Sequence, residues 1–295
     1  MDLIWSKTEE GELGPIKVGI LGAGTMGKQL TLLFAAKNIH VRVWNHRYQP
    51  NFQTDIRRLA LVQSKLGHII KDKVSEIAER INYTNDLGEL ADCDFILEAI
   101  KEDKEAKIAI FKQLVQVASD CKIIATNTST LSITELASFT LRPSQFIGLH
   151  FFNPPMSMRL VEVVKGELTS DETLVLALNI LEQIGKQPTV LPETPGFVVN
   201  RLLFPMINEA VFLLSEGVSD AKTIDNCMRL GSNHPMGPLE LADLIGLDIC
   251  LSILQTLVEE TGDGKYRPAP LLKKYVRAGR LGRKTGRGFY NHKKP

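Results

Sequence analysis

The sequence predicts an α/β chain in which a doubly wound parallel sheet is followed by a smaller all-helical C-terminal domain. Short β-branched runs alternate with longer helix-like segments from Lys17 to about Leu191, as in a parallel sheet covered by helices on both faces. After Leu191 the alternation stops and helix signals take over. A length of 295 residues with 44% apolar side chains is enough for two cores. We therefore expect one domain over residues 16–192 and a second over residues 193–295.

Six apolar runs predict the strands of the first domain. Each run is short and is bounded by turn-forming or charged residues. In chain order the runs are residues 17–21, 41–44, 95–98, 123–125, 146–150 and 160–164. With the helical segments between them, they indicate a doubly wound domain.

Helical spacing of apolar residues marks the segments between these strands. Residues 54–80 carry this spacing with a break near Gly67, which predicts a pair of helices inserted after the second predicted strand. Residues 101–118 form a predicted amphipathic helix whose apolar side consists of Ile108, Phe111, Leu114 and Val115.

The second domain is predicted to be helical throughout. Its helices are a long one ending near Gly217, one over residues 219–231, one opened by Pro238 and one over residues 270–279. The apolar content is heavy for a domain of about a hundred residues, so part of it is expected to bury against a second copy. We therefore expect a homodimer formed through the C-terminal domain.

Charge and cysteine content exclude several classes of protein. Lysine plus arginine (35) nearly balances aspartate plus glutamate (34), which argues against nucleic acid or an acidic membrane as the main partner. The four cysteines are scattered, so we expect free, mostly buried thiols and no metal site.

No apolar run approaches the roughly 18 residues of a membrane span. Residues 1–15 are polar and acidic, so we expect a loose arm without a function rather than a signal peptide, and a cytoplasmic location.

A glycine-rich segment follows the first predicted strand and opens a helix. Its residues, Gly22-Ala23-Gly24-Thr25-Met26-Gly27, form the G-x-G-x-x-G pattern in the strand-to-helix context that dinucleotide binding requires. Gly22 permits a tight turn, Gly24 lets the pyrophosphate approach the backbone, and Gly27 allows close packing of the helix. The pattern predicts a Rossmann-type cofactor site over these six residues. The alternative is a glycine turn without a ligand.

The residues after the second predicted strand bear on the choice between NAD and NADP. An NAD enzyme usually carries there an acidic residue that accepts a hydrogen bond from the ribose 2′-hydroxyl, whereas this chain has Asn45, His46 and Arg47. An amide tolerates a 2′-phosphate, and Arg47 is able to pair with it. We favour NADP(H). The alternative is NAD(H), with Asn45 serving the 2′-hydroxyl.

A histidine and a glutamate stand at equal sequence distances from a predicted turn. His150 ends the fifth predicted strand, Glu162 lies in the sixth, and Met156 is midway between them. A turn through Met156 would set the two residues opposite each other on neighbouring strands. A carboxylate beside an imidazole orients the ring, fixes its tautomer and suits it to remove a hydroxyl proton near neutral pH. The alternatives are a strand-end histidine bonded to a backbone carbonyl and a surface carboxylate.

Seven segments in order resemble the L-3-hydroxyacyl-CoA dehydrogenase family, over a span from Lys17 to Tyr290. The segments are GAGTMG, NTST, GLHFFNP, LVEVV, TPGFVVNRLL, NHPMGPLELADLIGLD and GRKTGRGFY. Several such segments in the same order are much more specific than any one alone. Within the family, the chain is most similar to the bacterial 3-hydroxybutyryl-CoA dehydrogenases.

The resemblance implies roles for four catalytic residues. It makes His150 the general acid/base for the substrate 3-hydroxyl, and Glu162 the residue that orients His150 and stabilises its protonated form. Ser129 matches a serine that bonds the substrate oxygen, and Asn200 matches an asparagine that contacts the substrate from the second domain. The alternatives are that Thr128 and Thr130 beside Ser129 simply cap a helix or turn, and that Asn200 is an ordinary polar residue early in a helix.

The resemblance also implies further cofactor positions. Glu98 and Lys107 correspond to family positions near the nicotinamide and its ribose, but they also fit a strand end and a solvated helix face. Asn127 of the NTST segment is assigned to the cofactor as well. Asn153 shapes the loop after His150 or forms a plain Asn-Pro turn. Charged residues on the inserted helices are candidates for the CoA phosphates outside the assigned site, namely Arg57, Arg58 and Lys65.

The predicted function is the reversible NAD(P)-dependent oxidation of (S)-3-hydroxybutyryl-CoA, a short-chain 3-hydroxyacyl-CoA, to acetoacetyl-CoA. The histidine supplies the proton chemistry and the cofactor the redox chemistry, so no metal is required. A site between two domains would close on binding, and Gly196 is the candidate hinge.

Two alternatives stay open at this point. One is a β-hydroxyacid dehydrogenase acting on a small free hydroxyacid, which by family resemblance uses a lysine where this chain has His150. The other is a non-catalytic dinucleotide-binding structural or sensor protein. The presence of His150, Glu162, Ser129 and Asn200 opposes the second alternative.

Overall fold

The computed structural model describes residues 16–293, and the predicted arm over residues 1–15 lies outside them. The chain divides between Glu193 and Thr194 into two compact units. The first unit holds all eight strands, and the second is helical. The predicted α/β architecture with a helical C-terminal domain is thus confirmed.

The first unit is built on one eight-stranded sheet. Its strands are β1 (Lys17–Leu21), β2 (His40–Trp44), β3 (Ile81–Thr84), β4 (Phe95–Glu98), β5 (Ile123–Thr126), β6 (Phe146–Phe151), β7 (Leu160–Lys165) and β8 (Gln187–Pro192). They lie in the order β3-β2-β1-β4-β5-β6-β7-β8. All neighbours pair in parallel except β6 and β7, which are antiparallel. The direction of the strand order reverses at β1 and β4, and doubly wound sheets bind ligands at the carboxyl ends beside such a reversal.

The six predicted strands are all present, but the sequence does not predict β3 and β8. These two strands form the edges of the sheet. β8 is mostly exposed and contains Pro188 and Pro192, and β3 has only its first and last residues buried. Edge strands bury less apolar surface and tolerate proline, so their apolar pattern is weak.

Six helices cover the sheet. They are α1 (Thr25–Ala35), α2 (Phe52–Lys65), α3 (Val74–Glu79), α4 (Lys104–Val117), α5 (Ile133–Ser138) and α6 (Asp171–Gln183). Side chains cap the N-termini of three of them. Asp103 accepts from the Ala106 N–H in α4, Ser132 from the Glu135 N–H in α5, and Ser170 from the Thr173 N–H in α6. The break predicted near Gly67 is confirmed, because Gly67 has φ +80° just after α2.

The buried side of α4 is wider than the predicted one. It consists of Lys107, Ile110, Phe111, Leu114 and Val115, while Ile108 is only partly buried. Ile108 lies two helical turns before Val115 on the same side of α4, at the partly buried edge of that side. The predicted apolar side is therefore present, and Lys107 and Ile110 extend it. The helix turns a lysine towards the interior, and a buried carboxylate described below neutralises its charge.

The second unit packs five helices around its own core. They are α7 (Val199–Ser215), α8 (Ala221–Gly231), α9 (Pro238–Ile245), α10 (Leu247–Thr261) and α11 (Pro270–Arg277). Of these, α10 has no counterpart among the predicted helices. It supplies Leu247, Ile253, Leu254 and Leu257 to the core of this unit. The proposed hinge residue Gly196 has φ +73°, and a methyl group on it would lie 2.7 Å from Leu257 Cδ2.

The four cysteines have free thiols, as the sequence predicts. Cys93, Cys121 and Cys250 are buried, Cys227 is exposed, and all four are unpaired. Burial raises the pKa of each of the three buried thiols to about 12.

Within residues 16–293, no single helix has the length and apolar content to cross a membrane, although α9 and α10, bent by 98°, meet that test as a pair.

Candidate active site

The glycine segment forms the tight turn between β1 and α1. Gly22 has φ +108°, and a methyl group on it would lie 2.7 Å from the Ala99 carbonyl oxygen. A methyl group on Gly27 would lie 1.9 Å from the carbonyl oxygen of Gly22. Around Gly24, which begins α1, no atom lies within 4 Å of the equivalent position. Two glycines therefore permit close packing, and the third leaves open space at a helix N-terminus, where a pyrophosphate fits.

The asparagine after β2 ties this turn to its own loop. Asn45 is buried; its Oδ1 accepts a hydrogen bond from the Ala23 N–H at 3.2 Å, and its Nδ2 donates to the Arg47 carbonyl at 2.7 Å. Tyr83 also donates to that carbonyl, at 3.2 Å. The Asn45 amide thus holds the backbone of both loops, while the side chain of Arg47 is exposed.

A cavity of about 540 Å³ opens beside the glycine segment. Its walls include Gly24 and Thr25 of the segment, Lys28 of α1, and Asp55 and Arg58 of α2. Lys28 Nζ lies 2.6 Å from Asp55 Oδ2, and this ion pair lowers the pKa of Asp55. Met26 is partly buried and packs against the sheet core.

A buried ion pair joins β4 to α4. Lys107 Nζ lies 2.7 Å from both carboxylate oxygens of Glu98, and the two side chains are 1% and 0% exposed. Thr126 Oγ1 and the Ile100 N–H also donate to Glu98, at 2.6 and 2.7 Å. Burial alone would lower the pKa of Lys107, but Glu98 and Glu102 raise it above its ordinary value. The interpretation of Lys107 as part of a solvated helix face is therefore wrong.

A second carboxylate on Lys107 orders the loop after β5, and the sequence analysis missed it. Glu102 Oε2 lies 3.1 Å from Lys107 Nζ. Its other oxygen accepts from Thr128 Oγ1 at 2.5 Å and from the Ser129 N–H at 2.8 Å. Desolvation opposes ionisation, but Lys107 and these donors hold the pKa of Glu102 below its ordinary value. The sequence does not predict this role of Glu102, because Glu102 lies in a run of charged residues that is typical of a solvated segment.

Ser129 lies in that loop, and the cap alternative holds for its neighbour Thr128, which caps a turn. The side chain that caps α5 belongs to Ser132, and Thr128 Oγ1 accepts from the Leu131 N–H at 3.0 Å to form a turn. The side-chain oxygen of Asn127 accepts from the Phe151 N–H at 2.9 Å, so Asn127 connects this loop to the end of β6. The loop after β5 is thereby held beside the strand that carries His150.

His150 and Glu162 form a buried pair on adjacent antiparallel strands. The two residues are directly opposite in the register of β6 and β7, as the midpoint at Met156 predicts. His150 Nδ1 lies 2.7 Å from Glu162 Oε2, and the residues are 7% and 1% exposed. The ring of Phe152 packs on the imidazole with 4.4 Å between centroids. A buried glutamate thus fixes the orientation of an imidazole near the carboxyl end of β6.

The remaining predicted residues lie as follows. Asn200 is the second residue of α7 in the helical unit and is buried. Asn153 Oδ1 accepts from Gln29 Nε2 at 2.7 Å, which connects the segment after His150 to α1. Arg57 and Lys65 lie on α2, as does Arg58, whose side chain is 82% exposed.

Comparison with protein families identifies this arrangement. The NAD binding domain of 3-hydroxyacyl-CoA dehydrogenase matches residues 17–194, and the C-terminal domain of 3-hydroxyacyl-CoA dehydrogenase matches residues 196–292. The chain belongs to the 3-hydroxyacyl-CoA dehydrogenase family. The family predicted from the seven sequence segments is confirmed.

Individual members of the 3-hydroxyacyl-CoA dehydrogenase family cover nearly the whole chain. A probable 3-hydroxybutyryl-CoA dehydrogenase of Deinococcus radiodurans is 45% identical over 94% of this chain and all of the relative. The mitochondrial hydroxyacyl-coenzyme A dehydrogenase of Homo sapiens is 35% identical over 94% of this chain and 91% of the relative. The crystal structure of (S)-3-hydroxybutyryl-CoA dehydrogenase from Ralstonia eutropha superposes with a TM-score of 0.90, at 41% identity, over 95% of this chain and all of that one.

Proposed function

We propose that this protein is an NAD(P)-dependent (S)-3-hydroxybutyryl-CoA dehydrogenase, which interconverts (S)-3-hydroxybutyryl-CoA and acetoacetyl-CoA. The observation that carries the proposal is the buried His150–Glu162 pair, with 2.7 Å between Nδ1 and Oε2, in a chain of this family. The relatives named 3-hydroxybutyryl-CoA dehydrogenase support the short acyl chain.

The pair performs the proton half of the reaction. Because Nδ1 is committed to Glu162, Nε2 is the nitrogen that accepts the proton of the substrate 3-hydroxyl during oxidation and returns it during reduction. Glu162 stabilises the imidazolium that forms. A nicotinamide dinucleotide bound at the glycine segment supplies the redox chemistry by exchanging a hydride with C3. By family resemblance, Ser129 and Asn200 bond the substrate oxygens.

The glycine segment, Gly22 to Gly27, is the proposed cofactor site. The open space around Gly24 at the N-terminus of α1 suits an approaching pyrophosphate. The network of Glu98, Lys107 and Glu102, together with Asn127, supports the nicotinamide end of the site by holding the ends of β4, β5 and β6.

The cofactor is proposed to be NADP(H) rather than NAD(H). The exposed side chain of Arg47 supports this choice, as does an Asn45 amide that adds no negative charge near a 2′-phosphate. Arg47→Gln should lower kcat/KM with NADPH by about 10- to 100-fold, since a hydrogen bond between charged groups contributes about 1.5–3 kcal/mol. Activity with NADH should change little. Arg57→Gln, a change of another exposed arginine, should leave the ratio of the two activities as in wild type.

The protein is further proposed to act as a cytoplasmic homodimer that forms through the helical unit. Large apolar side chains of that unit are exposed, among them Leu202 (71%) and Leu230 (83%). Sedimentation of the wild type should give the mass of two chains, and the Leu202→Glu/Leu230→Glu variant that of one. Leu141→Glu, at an equally exposed leucine of the first unit, is the control.

The deciding assay follows oxidation of NADPH and NADH on addition of acetoacetyl-CoA, in wild type and in His150→Ala. Turnover that is lost in the variant supports the proposal. Greater activity on free 3-hydroxybutyrate than on its CoA thioester would select a β-hydroxyacid dehydrogenase instead. Cofactor binding without turnover on any acyl-CoA would select a non-catalytic dinucleotide-binding protein.

A further inference from the structure

A buried lysine contacts the connection between β6 and β7, the strands that carry His150 and Glu162. Lys186 lies between α6 and β8 and is 7% exposed. Its Nζ donates to the Met158 carbonyl at 2.9 Å and to the Pro155 carbonyl. Both carbonyls belong to residues 152–159, which we call the β6–β7 turn.

The charge of Lys186 has no carboxylate to neutralise it within residues 16–293. Its hydrogen-bond acceptors are backbone carbonyls, and the charged group that acts on it is a second cation, Lys37, at the end of α1. Burial, and then the nearby Lys37, lower the pKa of Lys186 to about 8. Burying an ammonium without a counter-charge costs free energy, and an apolar side chain would fill the space without that cost. The two carbonyl contacts are therefore the feature that distinguishes this lysine from a packing residue.

The β6–β7 turn is fastened at two further points. Asn153 accepts from Gln29 of α1 at 2.7 Å, and Ser157 Oγ lies 3.0 Å from His68 Nε2. Lys186 binds the turn on either side of Ser157, through the carbonyls of Pro155 and Met158. The turn thus has one anchor on the cofactor helix, one after α2 and one before β8.

The same turn bears directly on the imidazole. Its first residue, Phe152, packs on the His150 ring. Its ends continue into β6 and β7, which set His150 opposite Glu162. A shift of the turn therefore moves both the aromatic contact of His150 and the relative position of the two strands.

We propose that Lys186 is a positioning residue for the reaction: its two carbonyl hydrogen bonds hold the β6–β7 turn in the conformation that keeps His150 aligned with Glu162. The proposal rests on the proposed function, in which this pair exchanges the substrate proton. Lys186 acts through the turn and touches neither the substrate nor the cofactor.

The test compares Lys186→Met with Lys186→Arg and with Lys165→Met as the matched control. Lys165 ends β7 and pairs with the exposed Asp171, so its loss leaves the turn untouched. In Lys186→Met, kcat for acetoacetyl-CoA reduction should fall by about 10- to 100-fold, the loss expected from a small displacement of a catalytic group. KM and the Kd for NADPH should stay within about twofold of wild type. Lys186→Arg keeps the charge and the donors and should recover most of the rate.

A second measurement does not depend on turnover. The ¹⁵N chemical shifts of the His150 ring, assigned by comparison with His150→Gln, report the tautomer and its hydrogen bond to Glu162. They should move towards a mixture of tautomers in Lys186→Met and stay unchanged in Lys165→Met. If wild type does not reduce acetoacetyl-CoA, the proposed function fails, while these shifts still decide the role of Lys186.

The proposal is overturned if Lys186→Met folds with wild-type kcat and wild-type His150 shifts, or if kcat and KM change equally in the methionine and arginine variants. Should Lys186→Met not fold, Lys186→Gln decides in its place. Its amide is one bond shorter than the lysine side chain, so the same loss of kcat and the same shift change are expected.

Discussion

Two histidine–carboxylate pairs in this protein have nearly the same geometry and opposite surroundings. In the first unit His150 Nδ1 lies 2.7 Å from Glu162 Oε2 on paired strands. In the helical unit His292 Nε2 lies 2.8 Å from Asp243 Oδ2. The Asp243 carboxylate also accepts from the backbone N–H groups of Phe289 and Tyr290, both at 2.9 Å.

The difference shows that a close histidine–carboxylate contact does not by itself indicate catalysis. Asp243 binds three donors of the C-terminal segment, from Phe289, Tyr290 and His292, and so holds that segment against α9. A methyl group on Gly288 would lie 1.9 Å from Asp243 Oδ1, so the backbone of the C-terminal segment packs directly against this carboxylate. The His150 pair lies instead near the carboxyl end of the sheet, next to the loops after β4 and β5. The surroundings, rather than the pair distance, distinguish the predicted catalytic pair from the structural one.

The largest expected effect separates the two histidines directly. His150→Gln should lower kcat per folded molecule by about 10²- to 10⁴-fold, the contribution of a general acid/base. His292→Gln should keep its kcat per folded molecule and melt at a lower temperature. Steady-state assays and thermal unfolding of both variants provide the measurement. A large loss of kcat in His292→Gln would mean that the comparison is wrong.

Removing the carboxylate of the structural pair should cost stability rather than activity. Asp243→Asn replaces one acceptor oxygen by a donor, so it removes the carboxylate charge and the hydrogen bonds to one of the two oxygens, and it should lower the free energy of unfolding by about 3 kcal/mol, measured in urea. The control is Asp248→Asn, whose partly exposed ion pair with Lys284 should contribute less than about 1 kcal/mol. Equal effects of the two substitutions would contradict the assignment of Asp243 as an anchor.

The neighbouring tyrosine gives a smaller effect of the same kind. Tyr290 donates to Asp225 Oδ2 at 2.6 Å, and burial, with Asp225 beside it, raises the pKa of Tyr290 well above its usual range. Tyr290→Phe should lower the free energy of unfolding by about 2 kcal/mol, the contribution of a hydrogen bond to a charged group. Tyr48→Phe, at an exposed ring, serves as the control. No change in the urea midpoint of Tyr290→Phe would show that Asp225 is held by its other donors alone.

The free energy of unfolding should depend on pH through Lys186, the proposed positioning residue. The pKa of Lys186 is about 8 in the folded chain and 10.5 ordinarily, so between these values the unfolded chain binds the proton and the folded chain does not. The unfolded state then holds more protons, and the free energy of unfolding gains up to about 1.4 kcal/mol per pH unit from this group as pH rises. Lys186→Met should lack that gain. Urea unfolding of both proteins at several pH values measures it, and parallel curves would contradict the assignment.

Much of the fold and part of the site follow from local patterns of sequence. The structure places Gly22 and Gly27 as the glycine pattern predicts, although only Gly27 meets a neighbour in sequence, the Gly22 carbonyl, whereas Gly22 packs against Ala99 of the next strand connection. The opposition of His150 and Glu162 follows from equal numbers of residues on either side of Met156. The catalytic roles of His150, Glu162, Ser129 and Asn200 stay predictions, as does the binding of the cofactor at the glycine segment.

The sequence alone therefore determined the positions of six strands along the chain, the glycine turn and the helical second domain. It also determined the register that sets His150 opposite Glu162. Periodicity and turn chemistry act over short stretches of chain, and these features need nothing more. Only the tertiary structure decided that Lys107 is buried between Glu98 and Glu102, that Asn45 holds the glycine loop, and that Lys186 reaches Pro155 and Met158. Lys186 and Asn45 meet partners more than twenty positions away, and Lys107 owes its buried face to the packing of α4 on the sheet. A charged or amide side chain looks the same in sequence whether water or a buried partner satisfies it, so packing had to choose between them.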